Sequence, residues 1–213
     1  MKFYSRSGYE GQRLAATQVF NLMDDQLIVI LRSWGSADYN QKFIDDVVHY
    51  LSSTQADLDV TTPFEYQESL SSLANRTRVS LLLGHDSFYR NENKNEFLVG
   101  FEATVLLKSK NELAWSSVGR FSIDKVVDKT LQTYMKNGSD LDIEVLLPVQ
   151  LLGIGQDVSI SSGSMLINDD TQIVLSSLYK SDLCIGQGDN LQSLIDVRSV
   201  AGTYWYSVIS PAS

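Results

Sequence analysis

Two kinds of hydrophobic patterning alternate along the chain. The run Leu27-Ile28-Val29-Ile30-Leu31 is continuously apolar, as expected of a central strand buried on both faces. Shorter strands are predicted before it at Lys2 to Arg6 and Gln18 to Asn21, with a turn at Met23-Asp24-Asp25. After Gly35 the period lengthens: Phe43, Val47, Val48 and Leu51 fall on one helical stripe, while Asp45, Asp46 and His49 point elsewhere. A second helix is predicted from a cap at Thr62, with Pro63 in its first turn and Glu65 closing a capping box. Leu70, Leu73, Ala74 and Leu81 supply its buried stripe, and it should end near Gly84.

From Phe97 onward strands dominate. Phe97 to Leu107 and Leu113 to Val118 flank the polar turn Lys108-Ser-Lys-Asn111 and read as a hairpin. Between Val126 and Pro148 the spacing of Val126, Val127, Leu131 and Tyr134 fits a short helix, and Ile143 to Leu147 a strand. Val158 to Ser161, Gln172 to Ser177 and the aromatic run Thr203 to Ser210 are the later strands. Strands, two adjacent helices and then mostly strands predict an α+β architecture of layered sheets covered by helices. Only three prolines and no Ser/Gly/Pro-rich linker interrupt the sequence, so residues 1–213 are expected to form a single domain.

Composition narrows the function classes. With 213 residues, 43% of them hydrophobic, the chain can bury a core without disulfides or a structural metal. Cys184 is the lone cysteine and His49 and His85 the two histidines, too few for a thiolate cluster or an imidazole metal site. A net charge of −9 argues against nucleic-acid or anionic-membrane partners, which require a basic surface. No signal-peptide core and no apolar run of spanning length is present, so a soluble, cytoplasmic protein is expected.

Isolated signals favour structural roles. Gly153-x-Gly155 lacks the rest of a nucleotide-binding fingerprint and reads as a turn. Gly186-Gln-Gly-Asp189-Asn190 has too few acids for calcium. The pairs Asp24-Asp25, Asp45-Asp46 and Asp169-Asp170 read as turns or solvated helix faces, and neither histidine nor Cys184 has a catalytic setting. Strand alternation buries half of Tyr204-Trp205-Tyr206, while Trp34 is a candidate partner contact.

Four stretches, taken in order, resemble the PPM family, the 2C-type metal-dependent serine/threonine protein phosphatases. "GQRLAATQVFNLMDDQLIVILRSWGSA" is similar to its arginine, acidic pair, strand and Asp-Gly-x-Gly-Gly turn. "ATVLLKSKNELAWSSVGRFSI" resembles its Gly-Thr-Thr-Ala strand and its Ala-Asn-x-Gly-Asp-Ser-Arg strand. "LLGIGQ" with "MLINDDTQIVLSSLYKS" resembles its Leu-Gly motif and the strand ending in Ser-Asp-Gly, and "AGTYWYSVIS" its closing Asp-Asn-x-Thr strand. The resemblance implies a four-layer αββα sandwich. It also implies a site where carboxylates hold two Mg²⁺ or Mn²⁺ ions whose bridging water attacks a phosphoserine or phosphothreonine.

The acids of that site are replaced. Thr17 and Gln18 stand for the acidic pair, Arg32 and Ser33 for the Asp-Gly of the turn, Leu178 for the Asp of Ser-Asp-Gly, and Ala201 for the final Asp. Arginine for aspartate at position 32 changes the local energy of a bound dication by on the order of 10 kcal/mol. The expectation is therefore a degenerate member, a pseudophosphatase with no catalytic residue, no metal and no other cofactor. It would bind a protein partner, a phosphorylated protein or kinase-pathway component among the candidates, as a regulatory or scaffold module. Arg13, at the family's phosphate-binding position, with Arg32 and Arg120 forms a candidate anion pocket. The alternatives are an active phosphatase with relocated ligands such as Asp24, Asp38 or Asp124, and an N-terminal-nucleophile hydrolase of similar layering.

Overall fold

The computed structural model describes residues 1–9, 15–56, 62–136, 150–188 and 190–211. In chain order the strands are β1 (Lys2–Tyr9), β2 (Thr17–Leu22), β3 (Leu27–Gly35), β4 (Val99–Ser109), β5 (Glu112–Val118), β6 (Ser122–Val127), β7 (Thr130–Lys136), β8 (Ser161–Leu166), β9 (Ile173–Ile185) and β10 (Ile195–Ser210). Two α-helices, α1 (Asn40–Ala56) and α2 (Ser72–Ser87), lie between β3 and β4. The chain divides into two compact units: Met1–Ala15 with Arg120–Pro148 and Ile167–Ser213, and Ala16–Gly119 with Val149–Leu166.

The second unit holds a five-stranded antiparallel sheet in the order β2-β3-β4-β5-β8 with both helices on one face. Leu27, Val29 and Leu31 of β3 and Phe101, Ala103, Val105 and Leu107 of β4 pack into one core with Phe43, Val47 and Leu51 of α1 and Ala74 and Leu81 of α2. Ile28 and Ile30, on the other face of β3, are equally buried. That double burial is why the run is apolar throughout rather than alternating. α2 also buries Asn75, Thr77 and Ser80, and the Thr77 hydroxyl stands 2.8 Å from that of Ser116 on β5.

Two details of α2 depart from the sequence reading. Its N-cap is Ser71, whose hydroxyl accepts from the Ala74 N–H at 3.1 Å, whereas Thr62 closes a local turn by accepting from the Phe64 N–H at 3.0 Å. Both residues meet the chemical requirement for a cap, and the start of the buried stripe selects the later one. Nor does Gly84 end the helix. A Cβ there would stand 2.9 Å from the Phe43 ring, so glycine serves close packing of α2 on α1, and the helix runs on to Ser87 and a π-helical turn at Phe88–Glu92.

The first unit holds an antiparallel sheet in the order β1-β10-β9-β6-β7. Its core gathers Val174, Leu194, Ile195, Tyr206 and Val208. The short helix expected over Val126 to Tyr134 is instead the β6–β7 hairpin, closed by Asp128 (φ 50°) and Lys129 (φ 58°) between the paired Val127 and Thr130. Two positive-φ residues make the tight turn that hairpins favour. β9 and β10 both run longer than expected, and β10 breaks register between Ser199 and Thr203. The strand expected at Ile143 to Leu147 lies outside the described residues. The strand expected at Val158 to Ser161 is instead β8, which begins at Ser161 and runs to Leu166. Among the described residues no helix is long and apolar enough to cross a membrane.

Candidate functional site

Strand alternation decides what each site residue meets. On β3, Leu27, Val29 and Leu31 point to the helices, which sends Arg32 to the opposite face with Ile28 and Ile30. There Arg32 is 0% exposed. Its register partner on β4 is Glu102, itself 1% exposed, and Arg32 Nη1 donates to Glu102 Oε2 at 2.9 Å. Thr17, its register partner on β2, accepts from Nε at 3.2 Å and Nη2 at 3.0 Å. Trp34 Nε1 donates to the same Glu102 oxygen at 3.0 Å. The guanidinium is thus held by a carboxylate and a hydroxyl, and the carboxylate by two donors.

Backbone detail fits this arrangement. Gly119 has φ 101°, and a Cβ on it would lie 2.5 Å from the Cβ and Cγ of Glu102. Glycine is therefore required there by both conformation and space. Gly35 has φ 111°, and a Cβ would come within 2.2 Å of the Leu98 carbonyl oxygen, which accepts from the Ser36 N–H at 3.0 Å. Gly35 lets the chain leave β3 while keeping that bond.

The remaining expected site residues scatter. Gln18 alternates away from Thr17 and accepts from Asn40 Nδ2, at the start of α1, at 3.0 Å. Ser33 alternates away from Arg32 and is half-buried. In the first unit, Leu178 is exposed and pairs with Tyr204. Ala201 lies in the register break of β10. Arg120 is half-buried at the bend before β6. Arg13 lies outside the described residues. The anion pocket built on Arg32 needs correction: its forked donors face Glu102 and Thr17 inside the unit, not a ligand.

These residues do not fit a dication. A metal beside Arg32 would face a buried guanidinium, and the nearby carboxylate already neutralises that cation. Among the described residues no three His, Cys, Asp or Glu side chains group closely enough to hold an ion. The relocated ligands do not converge either. Asp24 lies in the turn before β3 and Asp38 beyond its far end, and a strand of nine residues separates them by about 27 Å. Asp124 is 8% exposed on β6, where Thr133 Oγ1 donates to it at 2.5 Å. Burial raises its pKa above the ordinary carboxylate value, against that hydrogen bond and the attraction of Lys136.

The isolated motifs take structural places. His85 is buried and accepts from the Gly153 N–H through Nδ1 at 3.0 Å, which anchors the turn where Gly153 and Gly155 have φ 81° and 74°. Desolvation lowers the pKa of His85. His49 is exposed on α1, and Trp34 is half-buried with its N–H committed to Glu102. Glu102 itself was not singled out by the sequence reading. A lone acid inside Val99-Gly-Phe-Glu-Ala-Thr-Val-Leu-Leu107 signals a buried carboxylate in search of a cation.

No family model matches the chain, and no curated protein matches it. Solved structures do. The Mycobacterium tuberculosis serine/threonine phosphatase PstP/Ppp is similar with a TM-score of 0.62 at 12% identity, over 100% of this chain and 99% of that one. PppA, described as a key regulatory component of the T6SS in Pseudomonas aeruginosa, is similar with a TM-score of 0.60 at 12% identity, over 98% and 97%. The S. agalactiae serine/threonine phosphatase is similar with a TM-score of 0.57 at 12% identity, over 98% and 99%. The chain has the α+β fold of the PPM phosphatases. Within that fold, Arg32 of β3 is buried and ion-paired with Glu102 of β4.

Proposed function

We propose that this domain is a pseudophosphatase, which acts by binding rather than by metal-dependent hydrolysis. It holds a protein partner, phosphorylated or belonging to a kinase pathway, as a regulatory or scaffold module. The observation that carries the reading is the buried Arg32–Glu102 pair at the turn that the resemblance assigns to a metal-holding aspartate. A dication about 4 Å from that guanidinium would be repelled by roughly 8 kcal/mol at an effective dielectric near 20. Glu102 offers no compensation while it neutralises Arg32. The net charge of −9 supports a role without nucleic-acid or membrane partners, and a cytoplasmic location is part of the proposal.

The test is hydrolysis of p-nitrophenyl phosphate across a manganese titration, with thermal melting recorded in parallel. The expected result is flat hydrolysis and a melting temperature independent of manganese, because an ion that binds only the folded state would raise it. Manganese-dependent turnover by the purified chain would overturn the reading.

A further inference from the structure

Residues 151–157 of the second unit form a strap tied to α2, to Asn93 and to β4. Leu152, 0% exposed, exchanges two backbone hydrogen bonds with Phe101 at 2.8 and 3.1 Å. Asn93 Nδ2 donates to the Gly153 carbonyl at 2.8 Å and to that of Val99 at 2.7 Å. A further tie comes from α2, where His85 Nδ1 accepts from the Gly153 N–H at 3.0 Å. We propose that His85 is a proton-operated latch: protonation at Nδ1 undocks the strap from α2 at Gly153. The proposal is independent of the binding role put forward above.

The chemistry of the ring sets the direction. An imidazole nitrogen that accepts from an N–H is unprotonated, so the neutral ring carries its single proton on Nε2. A second proton can enter only at Nδ1. There it turns the acceptor into a donor facing the Gly153 donor, and the tie becomes a repulsion. Nε2 gains from opening as well, because it is buried without a hydrogen-bond partner and water would supply one. The Gln156 backbone lies near enough to favour the charged ring, but not in hydrogen-bond geometry with Nε2. Leu152 stays fixed by Phe101, which confines the movement to the residues beyond it. Gly153 (φ 81°) and Gly155 (φ 74°) give that segment two pivots.

The surroundings keep the ring neutral while the strap is closed. His85 is 5% exposed, and the Tyr89 ring stacks on it with centroids 5.9 Å and planes 5° apart. The charged groups that face it are Asp86 on α2 and Asp157 on the strap, and Arg90 is committed to Asp86. Burial lowers the pKa of the ring and outweighs the Gln156 backbone and the two acids, which raise it. An open strap lets water reach the ring and restores an ordinary value of about 6.5. Above that pH both forms are neutral and the equilibrium is flat. Below it the open form binds more protons than the closed one, so acid favours opening until the closed ring itself titrates.

The experiment follows the ¹⁵N-labelled chain from about pH 8 to about pH 5 through the ring nitrogens of His85 and amide exchange. The ring is expected to be the Nε2–H tautomer at the upper pH and to titrate below 6.5. Corrected for intrinsic rates, protection of the Gly153 amide should fall below about pH 6.5 by up to about tenfold per pH unit. Leu152 and Phe101 should keep theirs. His85→Gln retains a side-chain acceptor that does not titrate, and should make Gly153 protection independent of pH. An Nδ1–H tautomer, a ring that titrates at or above 6.5, or Gly153 protection that stays flat below that pH would overturn the latch. So would the same fall in His85→Gln. The ring and strap measurements on the unaltered chain decide the matter even where the variant does not fold.

Discussion

The two units of this protein put arginine to opposite uses. In the second, Arg32 is sealed on the sheet face away from the helices, where it is bound to Glu102 and Thr17. In the first, the Arg6 side chain is exposed and lines an open groove. Position along a family motif drew attention to Arg32, yet burial and pairing decide which cation is available to a ligand. A charge with its counter-ion already at 2.9 Å is a structural element, whereas an exposed charge remains open to a ligand.

The largest effect should come from breaking the sealed pair. Arg32→Ala leaves the buried Glu102 without its guanidinium, and chemical denaturation should show a loss of about 3–5 kcal/mol. The double replacement Arg32→Met with Glu102→Leu should recover most of that, because desolvation is then avoided on both sides. A cost below about 1 kcal/mol for the single change would mean that water reaches the pair and that the contrast between the units is false. Glu102→Gln is the milder variant. It keeps an acceptor for Arg32 and removes the charge, and should cost about 2 kcal/mol by the same measurement.

Asp124 sharpens the comparison from the other side, as a buried acid without a guanidinium. Its folded pKa lies above the ordinary 3.8, so between those values the folded chain holds a proton that the unfolded chain has released. Stability from this group is therefore intact below 3.8 and is lost as pH rises through the raised value. Asp124→Asn should raise the melting temperature at pH 7 by about 2 °C, and the gain should vanish at low pH. A gain that grew on acidification would show that the carboxylate is stabilised when charged. The smallest effect is expected at Arg6, where Arg6→Ala should change stability by less than about 0.5 kcal/mol in chemical denaturation.

Much of the architecture was legible because it is written locally. The apolar run Leu27 to Leu31 announced a strand buried on both faces, and the stripe Phe43, Val47, Leu51 announced α1, and both are found. Errors arose where two local codes overlap. Val126, Val127, Leu131 and Tyr134 satisfy a helical period, and the Asp128-Lys129 turn that makes them a hairpin lacks the glycine or asparagine that usually marks positive φ. Thr62 and Ser71 are equally good caps in isolation, and only packing chooses between them.

The site was less legible because its partners are distant in the chain. Arg32 stands out in an apolar strand, but its partner Glu102 is 70 residues away and the two meet through the β3–β4 register. The groove is harder still, since Arg6 and Arg198 come together only when the first strand pairs with the last.

The central claim is that a fixed ion pair stands where the fold's enzymes would place a metal-holding acid. Manganese is paramagnetic, so titrating it into the labelled chain and following line broadening reads out where it dwells. The account predicts no selective broadening of the amides of Thr17, Arg32, Ser33 and Glu102. Saturable broadening centred on those four at sub-millimolar manganese would contradict it.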